Sequence, residues 1–196
     1  MRKFITFDII EFMKQLTIPS YTEKKIKKGQ FVLEKQDFPS LPFHDQAVEL
    51  ANTKGQFIGI GYLSEQNKGI GWFISHKKVT LDVSFFCQLF QCAKEKRQVY
   101  QQSEETTAYR LFNQEGDGFG GFTIDLYQDY AVFSWYNLFV YEMKETVVQA
   151  FQHVFPEVAG AYEKIRFKGL DVESAHLYGQ EASAFFTILE NGVRYQ

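Results

Sequence analysis

Residues 108–136 read "AYRLFNQEGDGFGGFTIDLYQDYAVFSWY", and this stretch decides the fold of the second half of the chain. Apolar and polar residues alternate on both sides of its glycine-rich part, and this period of two indicates β-strands. Residues 122–136 predict a hairpin that turns at Gln128-Asp129. The four glycines between residues 113 and 122 predict a tight connection between two strands, because glycine tolerates backbone angles that other residues avoid.

The glycine-rich connection has glycines at the spacing of a phosphate-binding loop but lacks the rest of that pattern. Gly116, Gly118 and Gly121 stand in a G-x-G-x-x-G register, but no Lys-Ser/Thr follows the glycines and no helix is expected after them. Glu115 and Asp117 would also repel a phosphate. Asn113, Glu115, Asp117 and Asp125 carry oxygen ligands for calcium, but the closing position of an EF-hand loop falls on Ile124. A structural turn is therefore favoured over a metal site.

The residues after this stretch complete an α+β domain, which we place at 106–196. Residues 139–154 predict a helix that Pro156 ends. Asn191-Gly192 predicts a type I′ turn in a second hairpin, of which only four residues follow the turn. A natural domain seldom stops there, so we expect the chain to be the front part of a longer protein.

The residues before this stretch predict a linker helix at 82–100, within a linker that we place at 76–105. Asp82 is a plausible N-cap, and an apolar face follows at helical spacing. Lys94, Lys96 and Arg97 suit the negative end of the helix dipole. Cys87 and Cys92 point to different sides of this helix, so no disulfide joins them. The apolar face comprises Phe86, Leu89, Phe90 and Ala93.

Residues 1–75 predict a small β module, a compact barrel or sandwich. Three short strands with turns every 8–12 residues occupy 46–75, and a further strand is expected around Phe31 and Leu33. The segment "KKIKK" (24–28) is interpreted as a basic loop. Glycines 59, 61, 69 and 71 predict bulges and close backbone approach in a curved sheet. The predicted fold class is thus mixed β and α+β: a β barrel, a linker helix, and an α+β domain of strands around one helix.

The charge is divided unevenly along the chain. Residues 1–100 contain 15 basic and 10 acidic residues (net +5), whereas residues 101–196 contain 6 and 14 (net −8). Only the first half therefore suits a polyanion, and its lysines predict RNA contact through phosphates. The alternative is a solvated face. The predicted contacts are Lys24, Lys25, Lys27, Lys28, Lys54 and Lys68, with Arg2 and Lys3 nearby; the neighbouring aromatics, expected in the core, are Tyr21, Phe31, Phe57, Tyr62, Trp72 and Phe73.

Several other classes of protein are not supported. No apolar run approaches the ~20 residues of a membrane helix, and Asp8 and Glu11 interrupt the N-terminal apolar stretch, so no secretory signal is expected. The cytoplasm is the default compartment. The four histidines are scattered without zinc-ligand spacing, and no Ser-His-Asp or Cys-His catalytic group can be assembled.

The motifs together resemble a known family. Residues 109–125 are similar to the central-domain signature of the PUA-containing, S-adenosylmethionine-dependent rRNA large-subunit methyltransferases. The barrel region resembles their N-terminal PUA domain, and "ILENGVRYQ" (188–196) resembles the stretch that leads into their catalytic domain. The matching signature residues are Arg110, Leu111, Asn113, Glu115, Gly116, Asp117, Gly118, Gly121 and Asp125.

The resemblance implies an RNA-binding front part that positions 23S-type ribosomal RNA for a Rossmann-like catalytic domain absent from this chain. S-adenosylmethionine is then the cofactor of the longer protein, and this chain contains no cofactor site, no metal site and no catalytic residue. The signature residues are expected to have a structural or domain-docking role. A stand-alone RNA-binding or ribosome-associated adaptor, and an interaction module unrelated to nucleic acid, remain alternatives. The oligomeric state is open, with a homodimer as one option.

Overall fold

The structure, a computed structural model, describes residues 13–38, 40–41, 44–66, 69–170 and 175–196. The chain divides into two compact units, an N-terminal unit (Met1–Phe85) and a C-terminal unit (Phe86–Gln196). Each unit contains its own five-stranded sheet, and an additional two-stranded hairpin lies in the C-terminal unit.

The N-terminal unit is a mixed sheet with the strand order β1-β3-β4-β5-β2, in which only the β1–β3 pair is parallel. One helix, α1, separates β1 from β2, and a 3-10 turn follows β2. The bounds are β1 Lys14–Thr17, α1 Ser20–Lys27, β2 Val32–Glu34, the 3-10 turn Lys35–Asp37, β3 Gln46–Ala51, β4 Phe57–Gln66 and β5 Gly69–Ser75.

Two predictions for this unit need correction. The "KKIKK" segment lies in helix α1 and its C-terminal cap rather than in a loop, because Thr22 and Ile26, one helical turn apart, are buried. The predicted closed barrel is absent from the described part of the unit. Its edge strands, β1 and β2, contain four and three residues and pair only with β3 and β5.

The predicted close approach of strand glycines is confirmed. A Cβ atom on Gly71 would collide with the carbonyl oxygen of Tyr62 on the neighbouring strand. The pairing register shifts between Ile60 and Gly61 and between Leu63 and Gln66, as expected for a bulged sheet. The core beneath the sheet contains Leu16, Ile18, Ile26, Leu33, Phe38, Val48, Leu50, Leu63, Ile70 and Phe73.

The C-terminal unit is a sheet in the order β10-β9-β8-β7-β6, antiparallel except for the β8–β9 pair. Two consecutive helices connect β8 to β9. The bounds are α2 Val83–Lys96, α3 Gln98–Gln101, β6 Ala108–Asn113, a 3-10 turn Gln114–Asp117, β7 Phe122–Tyr127, β8 Tyr130–Trp135, α4 Leu138–Glu142, α5 Lys144–Val154, β9 Gly160–Ile165, β10 Ala175–Gly179, β11 Ile188–Glu190 and β12 Val193–Tyr195.

The hairpins predicted around 128–129 and 191–192 are confirmed. Gln128 and Asn191 adopt positive φ angles of 52° and 51°, and Gly192 has a φ of 78°. Asn191 and Gly192 therefore have the backbone signs of a type I′ turn. The Asp82 cap is also confirmed, because the Phe85 N–H donates to Asp82 Oδ1 at 2.9 Å.

Both predicted long helices are interrupted. The helix predicted at 82–100 breaks at Arg97, whose φ of −109° and ψ of 12° are not helical. The helix predicted at 139–154 breaks at Met143, and its first part starts at Leu138, where the Asn137 side chain accepts the Val140 N–H at 3.1 Å. The apolar periodicity continues through the break at Met143 and gave no sign of it, whereas the apolar face of the first helix ends at Ala93 and α3 buries no residue.

Aromatic rings form the core of the C-terminal unit. Phe86 and Phe90 of α2 are fully buried, and their rings pack edge-on against Phe119 and Phe112. Phe122 lies at the centre, with its ring stacked on Phe112 at 4.6 Å. Such packing fixes α2 on one face of the sheet and places its C-terminal end next to the glycine-rich connection.

Candidate functional site

Helix α1 presents two lysines to solvent without an acidic partner. Lys24 and Lys28 are exposed and form no ion pair within the described part of the chain. Lys27 is also exposed, but its ammonium group lies 2.6 Å from Glu23. Lys28 is four positions after Lys24, so both lie on the same side of the helix.

Lys25 has a different environment from its neighbours. Its Nζ lies 2.8 Å from Glu34 and 3.2 Å from Asp37, and the Thr22 hydroxyl also donates to Asp37. The hydrogen bond with Glu34 is the main cause that raises the pKa of Lys25. Asp37 is buried, so Lys25 supplies the charge that neutralises it. The sequence-predicted RNA contact at Lys25 is therefore engaged in holding α1 to β2.

Lys54 lies in the exposed turn between β3 and β4, where the Asn52 side chain accepts the backbone N–H groups of residues 54 and 56. Lys68, Arg2 and Lys3, which were also predicted to contact RNA, lie outside the described residues.

Strand pairing brings Lys54 near a further lysine that the sequence analysis missed. Ala51 pairs with Phe57, and Ile60 pairs with Ser75, so the end of β3, the start of β4 and the end of β5 lie together. Lys77 lies two residues after the end of β5 and is exposed, without an ion pair among the described residues. The dipeptide Lys77-Lys78 was visible in the sequence, but only the pairing places it beside Lys54.

Helix α1 begins and ends at this same end of the sheet. The Ile18 N–H just before it donates to Ala51 O at 2.8 Å, and the Phe73 N–H donates to Phe31 O at 2.7 Å just after it. We call four cations of this region, none of which forms an ion pair within the described residues, the lysine surface: Lys24, Lys28, Lys54 and Lys77.

Two aromatic rings expected in the core are exposed in this region. Tyr21 is 47% exposed and Phe57 is 38% exposed. Each has a lysine ammonium 5.5 Å from its ring centre, Lys25 in one case and Lys78 in the other. Of the other aromatics expected in the core, Tyr62, Trp72 and Phe73 are buried and Phe31 is half-buried. An exposed ring beside a cation is a feature of surfaces that bind unpaired nucleotides.

The signature residue Asp117 is the centre of a buried charge cluster. Its carboxylate accepts two hydrogen bonds from the Arg97 guanidinium, at 3.1 and 2.6 Å, and one from Lys96 at 3.1 Å. The Asn113 backbone N–H donates to it at 2.7 Å. We call this arrangement the Asp117 clamp. It ties the break between α2 and α3 to the 3-10 turn after β6.

The pKa of Asp117 is lowered although the carboxyl group is buried. Burial is the largest single influence and would raise this pKa. Hydrogen bonds from Arg97, the Asn113 N–H and Lys96 together outweigh it. The carboxylate is therefore ionised at neutral pH and fully engaged within the protein.

Glycine is required next to the clamp. Gly118 has a φ of +97°, and a Cβ atom there would lie 3.1 Å from a methyl group of Leu89. Gly121 has a φ of +98°, and its carbonyl accepts the Tyr136 N–H at 2.9 Å. Gly116 does not have a positive φ, so the three signature glycines are not equivalent.

A second part of the signature forms a cross-strand pair. Arg110 on β6 faces Asp125 on β7, and its guanidinium contacts both carboxylate oxygens at 2.8 and 3.1 Å. Arg110 also donates to the Asn113 side chain at 3.4 Å. This pair is partly exposed, so solvent screens it more than it screens the Asp117 clamp.

The four oxygen ligands considered for calcium do not converge. Asp117 is bound by Arg97, Asp125 is bound by Arg110, and no cluster of three His, Cys, Asp or Glu side chains suited to a metal occurs in the described residues. Cys87 and Cys92 are free thiols. No helix within the described ranges is both long and apolar enough to cross a bilayer.

Comparisons with known proteins agree with these observations. The PUA-like domain family matches residues 16–76. The chain is 35% identical over 191 residues to the candidate ribosomal RNA large subunit methyltransferase YwbD of Bacillus subtilis, covering 93% of this chain and 48% of that protein. It is 33% identical over 159 residues to ribosomal RNA large subunit methyltransferase I of Photobacterium profundum, covering 78% of this chain and 40% of that protein.

A solved structure is also similar. A candidate SAM-dependent methyltransferase from Streptococcus mutans superposes with a TM-score of 0.89 and 52% identity, covering 93% of this chain and 48% of that one. A second, described as a methyltransferase complexed with SAH, superposes with a TM-score of 0.88. The predicted PUA-like domain and the predicted homology to ribosomal RNA large subunit methyltransferases are confirmed, and the chain spans about half the length of these relatives.

Proposed function

We propose that this chain is the RNA-recruiting part of a longer, S-adenosylmethionine-dependent ribosomal RNA base methyltransferase. The observation that carries the proposal is similarity over 93% of the chain to two methyltransferases about twice as long. On this proposal the protein works on ribosomal RNA in the cytoplasm, and the remaining half of the longer protein supplies methyl transfer.

The described residues do not fit S-adenosylmethionine. The Rossmann-like sites that bind such cofactors place a glycine-rich loop between a strand and a helix of a parallel sheet. Here the glycine-rich connection joins two antiparallel strands, and one of its two acids, Asp117, is bound by Arg97 and Lys96. We therefore assign no catalytic step to this chain.

The lysine surface is the part of the chain that we assign to RNA. Its four free cations are available to replace counterions along a phosphate backbone, which makes binding strong at low salt and weak at high salt. Such contacts position structured RNA by shape and backbone without reading its sequence. The exposed rings of Tyr21 and Phe57 add stacking surfaces at the same end of the sheet.

RNA binding at a distance from the reacting base serves catalysis. An enzyme that modifies a base within folded RNA must take it out of its stack, which costs a few kcal/mol. Binding energy from the lysine surface offsets that cost when both domains hold one RNA molecule. The C-terminal unit then connects RNA binding to methyl transfer. The Asp117 clamp and the Arg110–Asp125 pair keep this unit rigid, or they shape the surface on which the catalytic domain docks.

The coding sequence beyond Gln196 tests the link to catalysis. A downstream domain with a strand, a glycine-rich loop and an S-adenosylmethionine pocket is expected. A stop codon directly after Gln196 would contradict the proposal and favour the stand-alone adaptor.

RNA binding is tested on the chain itself. We expect a ribosomal RNA fragment to bind with an affinity that falls steeply between 50 and 200 mM salt, as for proteins that make several phosphate contacts. Lys24→Gln, Lys28→Gln and Lys54→Gln together should weaken binding and flatten the salt dependence. Binding that is absent or insensitive to salt would favour an interaction module unrelated to nucleic acid.

A further inference from the structure

The sheet of the C-terminal unit has a second basic region, in a part of the chain that is acidic overall. Lys164 is the second-last residue of β9, and Arg166 and Lys168 follow at intervals of two residues. All three are exposed, and none forms an ion pair within the part of the chain that the structure describes. We call these three residues the β9 stripe.

The side chains of Lys164 and Arg166 point to one face of the sheet, and Lys168 follows in the bend at residues 167–169. The alternate residues Glu163, Ile165 and Phe167 are buried or half-buried on the opposite face. Glu163 accepts hydrogen bonds there from Trp135 and Lys144. The extended backbone continues past β9, because the Arg166 N–H donates to Trp135 O at 2.8 Å. Lys164 and Arg166 are therefore spaced by roughly 6.6 Å.

Asp125, an acid on this face, does not neutralise the stripe. Register places Tyr162 beside Val132 and Val132 beside Asp125, so Asp125 belongs to the same face. Asp125 is already paired with Arg110. Residues 101–196 contain only six basic side chains, and three of them lie within the five positions 164–168. This unpaired positive charge attracts a polyanion although the net charge of the region is negative.

A groove of about 420 Å³ adjoins the stripe at Lys164. Its other walls include Val132, Ala175, Ala182 and an aromatic pair, Tyr162 and His176, whose rings meet at 5.2 Å with an interplanar angle of 69°. A mostly apolar groove with a cation at its rim suits a planar base with a phosphate beside it. Single-stranded RNA combines these two features along its length.

We propose that the β9 stripe and the adjoining groove bind an unpaired segment of RNA, with backbone phosphates on Lys164, Arg166 and Lys168 and a base in the groove. This inference rests on the proposed function and adds a second RNA contact to it. The lysine surface holds structured RNA, and the β9 stripe holds a single-stranded segment of the same substrate.

The test compares two triple variants of the whole chain with the same change in net charge. One variant neutralises the stripe (Lys164→Gln, Arg166→Gln and Lys168→Gln). The control adds three negative charges at exposed glutamines of α2, α3 and α5 (Gln88→Glu, Gln98→Glu and Gln152→Glu). Binding of a fluorescent single-stranded RNA is measured by anisotropy over a salt series, and melting temperatures establish that both variants are folded.

We expect the stripe variant to bind roughly tenfold more weakly at low salt and to lose about two units of the logarithmic salt slope, since each lost phosphate contact removes about 0.7. The control should change the slope little. His176→Ala should weaken binding roughly fivefold at every salt concentration without changing the slope, because stacking is not a charge effect.

Three outcomes would overturn the inference. Equal weakening in the stripe variant and the control would assign the effect to net charge. Unchanged RNA binding by the stripe variant would show that the β9 stripe does not bind RNA. Unchanged RNA binding together with a lower melting temperature of the longer protein would assign the stripe to a contact between domains. In each case, if neutralising Lys24, Lys28 and Lys54 weakens RNA binding, the proposed function still stands. If that variant binds RNA as well as the wild type, both the proposed function and this inference are contradicted.

Discussion

The lysine surface and the Asp117 clamp show how differently similar residues are used in the two units. Lys24 and Lys28 are one helical turn apart and have no acidic partner in the described residues. Lys96 and Arg97, at the end of α2, both bind one buried carboxylate. The sequence shows basic residues near a helix end in both places. The difference is whether a buried acid lies within reach, and it decides whether a cation is available to a ligand.

The strongest test of this comparison removes the acid of the clamp. Asp117→Ala leaves Arg97, which is only 13% exposed, without its counter-charge. Because an uncompensated buried charge is costly, we expect the free energy of unfolding to fall by about 3 kcal/mol. Urea denaturation of the wild type and the variant measures this loss. A change below about 0.5 kcal/mol, the usual range of surface substitutions, would show that the clamp is not a stabilising element.

The same carboxylate predicts a dependence of stability on pH. The pKa of Asp117 is lower in the folded protein than its ordinary value of 3.8, so the folded state favours the ionised form. Its contribution is complete above that ordinary value and is lost as the pH falls through the lowered pKa. Asp117→Asn should therefore lose less stability than the wild type between pH 5 and about 2. Parallel pH curves for the two proteins would contradict this assignment.

The next test uses two glycines of the same turn. Gly118→Ala forces a side chain into a positive-φ position and against Leu89, and we expect a loss of about 2 kcal/mol. Gly116→Ala is the matched control. It has no positive φ, and its closest contact would be 3.4 Å from the Asn113 side chain. Equal losses in the two variants, measured by thermal unfolding, would show that composition rather than backbone geometry matters here.

The sequence predicted the local elements of this fold better than their assembly. Alternation and the turn residues at 128–129 and 191–192 placed both hairpins, because these signals are contained within a few neighbouring residues. The parallel pairing of β1 with β3 was not predicted, since it joins residues more than 30 positions apart. The many lysines of helix α1 predict an exposed loop and obscure the buried pair Thr22 and Ile26, so the helix was not predicted.

The candidate sites were predicted in part for the same reason. The free lysines of α1 were found from charge alone, but Lys25 could not be told apart from Lys24. Its partner Asp37 is 12 residues away, in the 3-10 turn that follows β2. The sequence pattern around Asp117 indicates a ligand or a turn residue, and that around Arg97 indicates a partner of the helix dipole. The ion pair between them spans 20 residues and depends on α2 packing against the sheet.

Neighbouring lysines of α1 allow the comparison to be made within one helix. Lys25→Gln removes the charge that faces buried Asp37, so we expect a lower melting temperature and little change in RNA affinity. Lys24→Gln with Lys28→Gln should do the opposite, reducing the salt slope of RNA binding by about one to two units at an unchanged melting temperature. Similar effects of both variants on stability, or on binding, would remove the distinction between free and engaged lysines.

The smallest effect is expected at the other ion pair of the signature. Arg110 and Asp125 form a two-point contact, but the Arg110 side chain is 46% exposed, so solvent weakens the attraction. We expect Asp125→Asn to cost about 0.5 kcal/mol at low salt. Added sodium chloride should remove most of that cost, because the Debye length falls to about 3 Å at 1 M. The loss in Asp117→Ala should persist under the same conditions, since water and salt do not reach a buried carboxylate. Urea curves for both variants at low and high salt measure the two differences. If the cost at Asp125 were as large and as insensitive to salt as that at Asp117, the two halves of the signature would form one structural unit rather than a buried clamp and a surface pair.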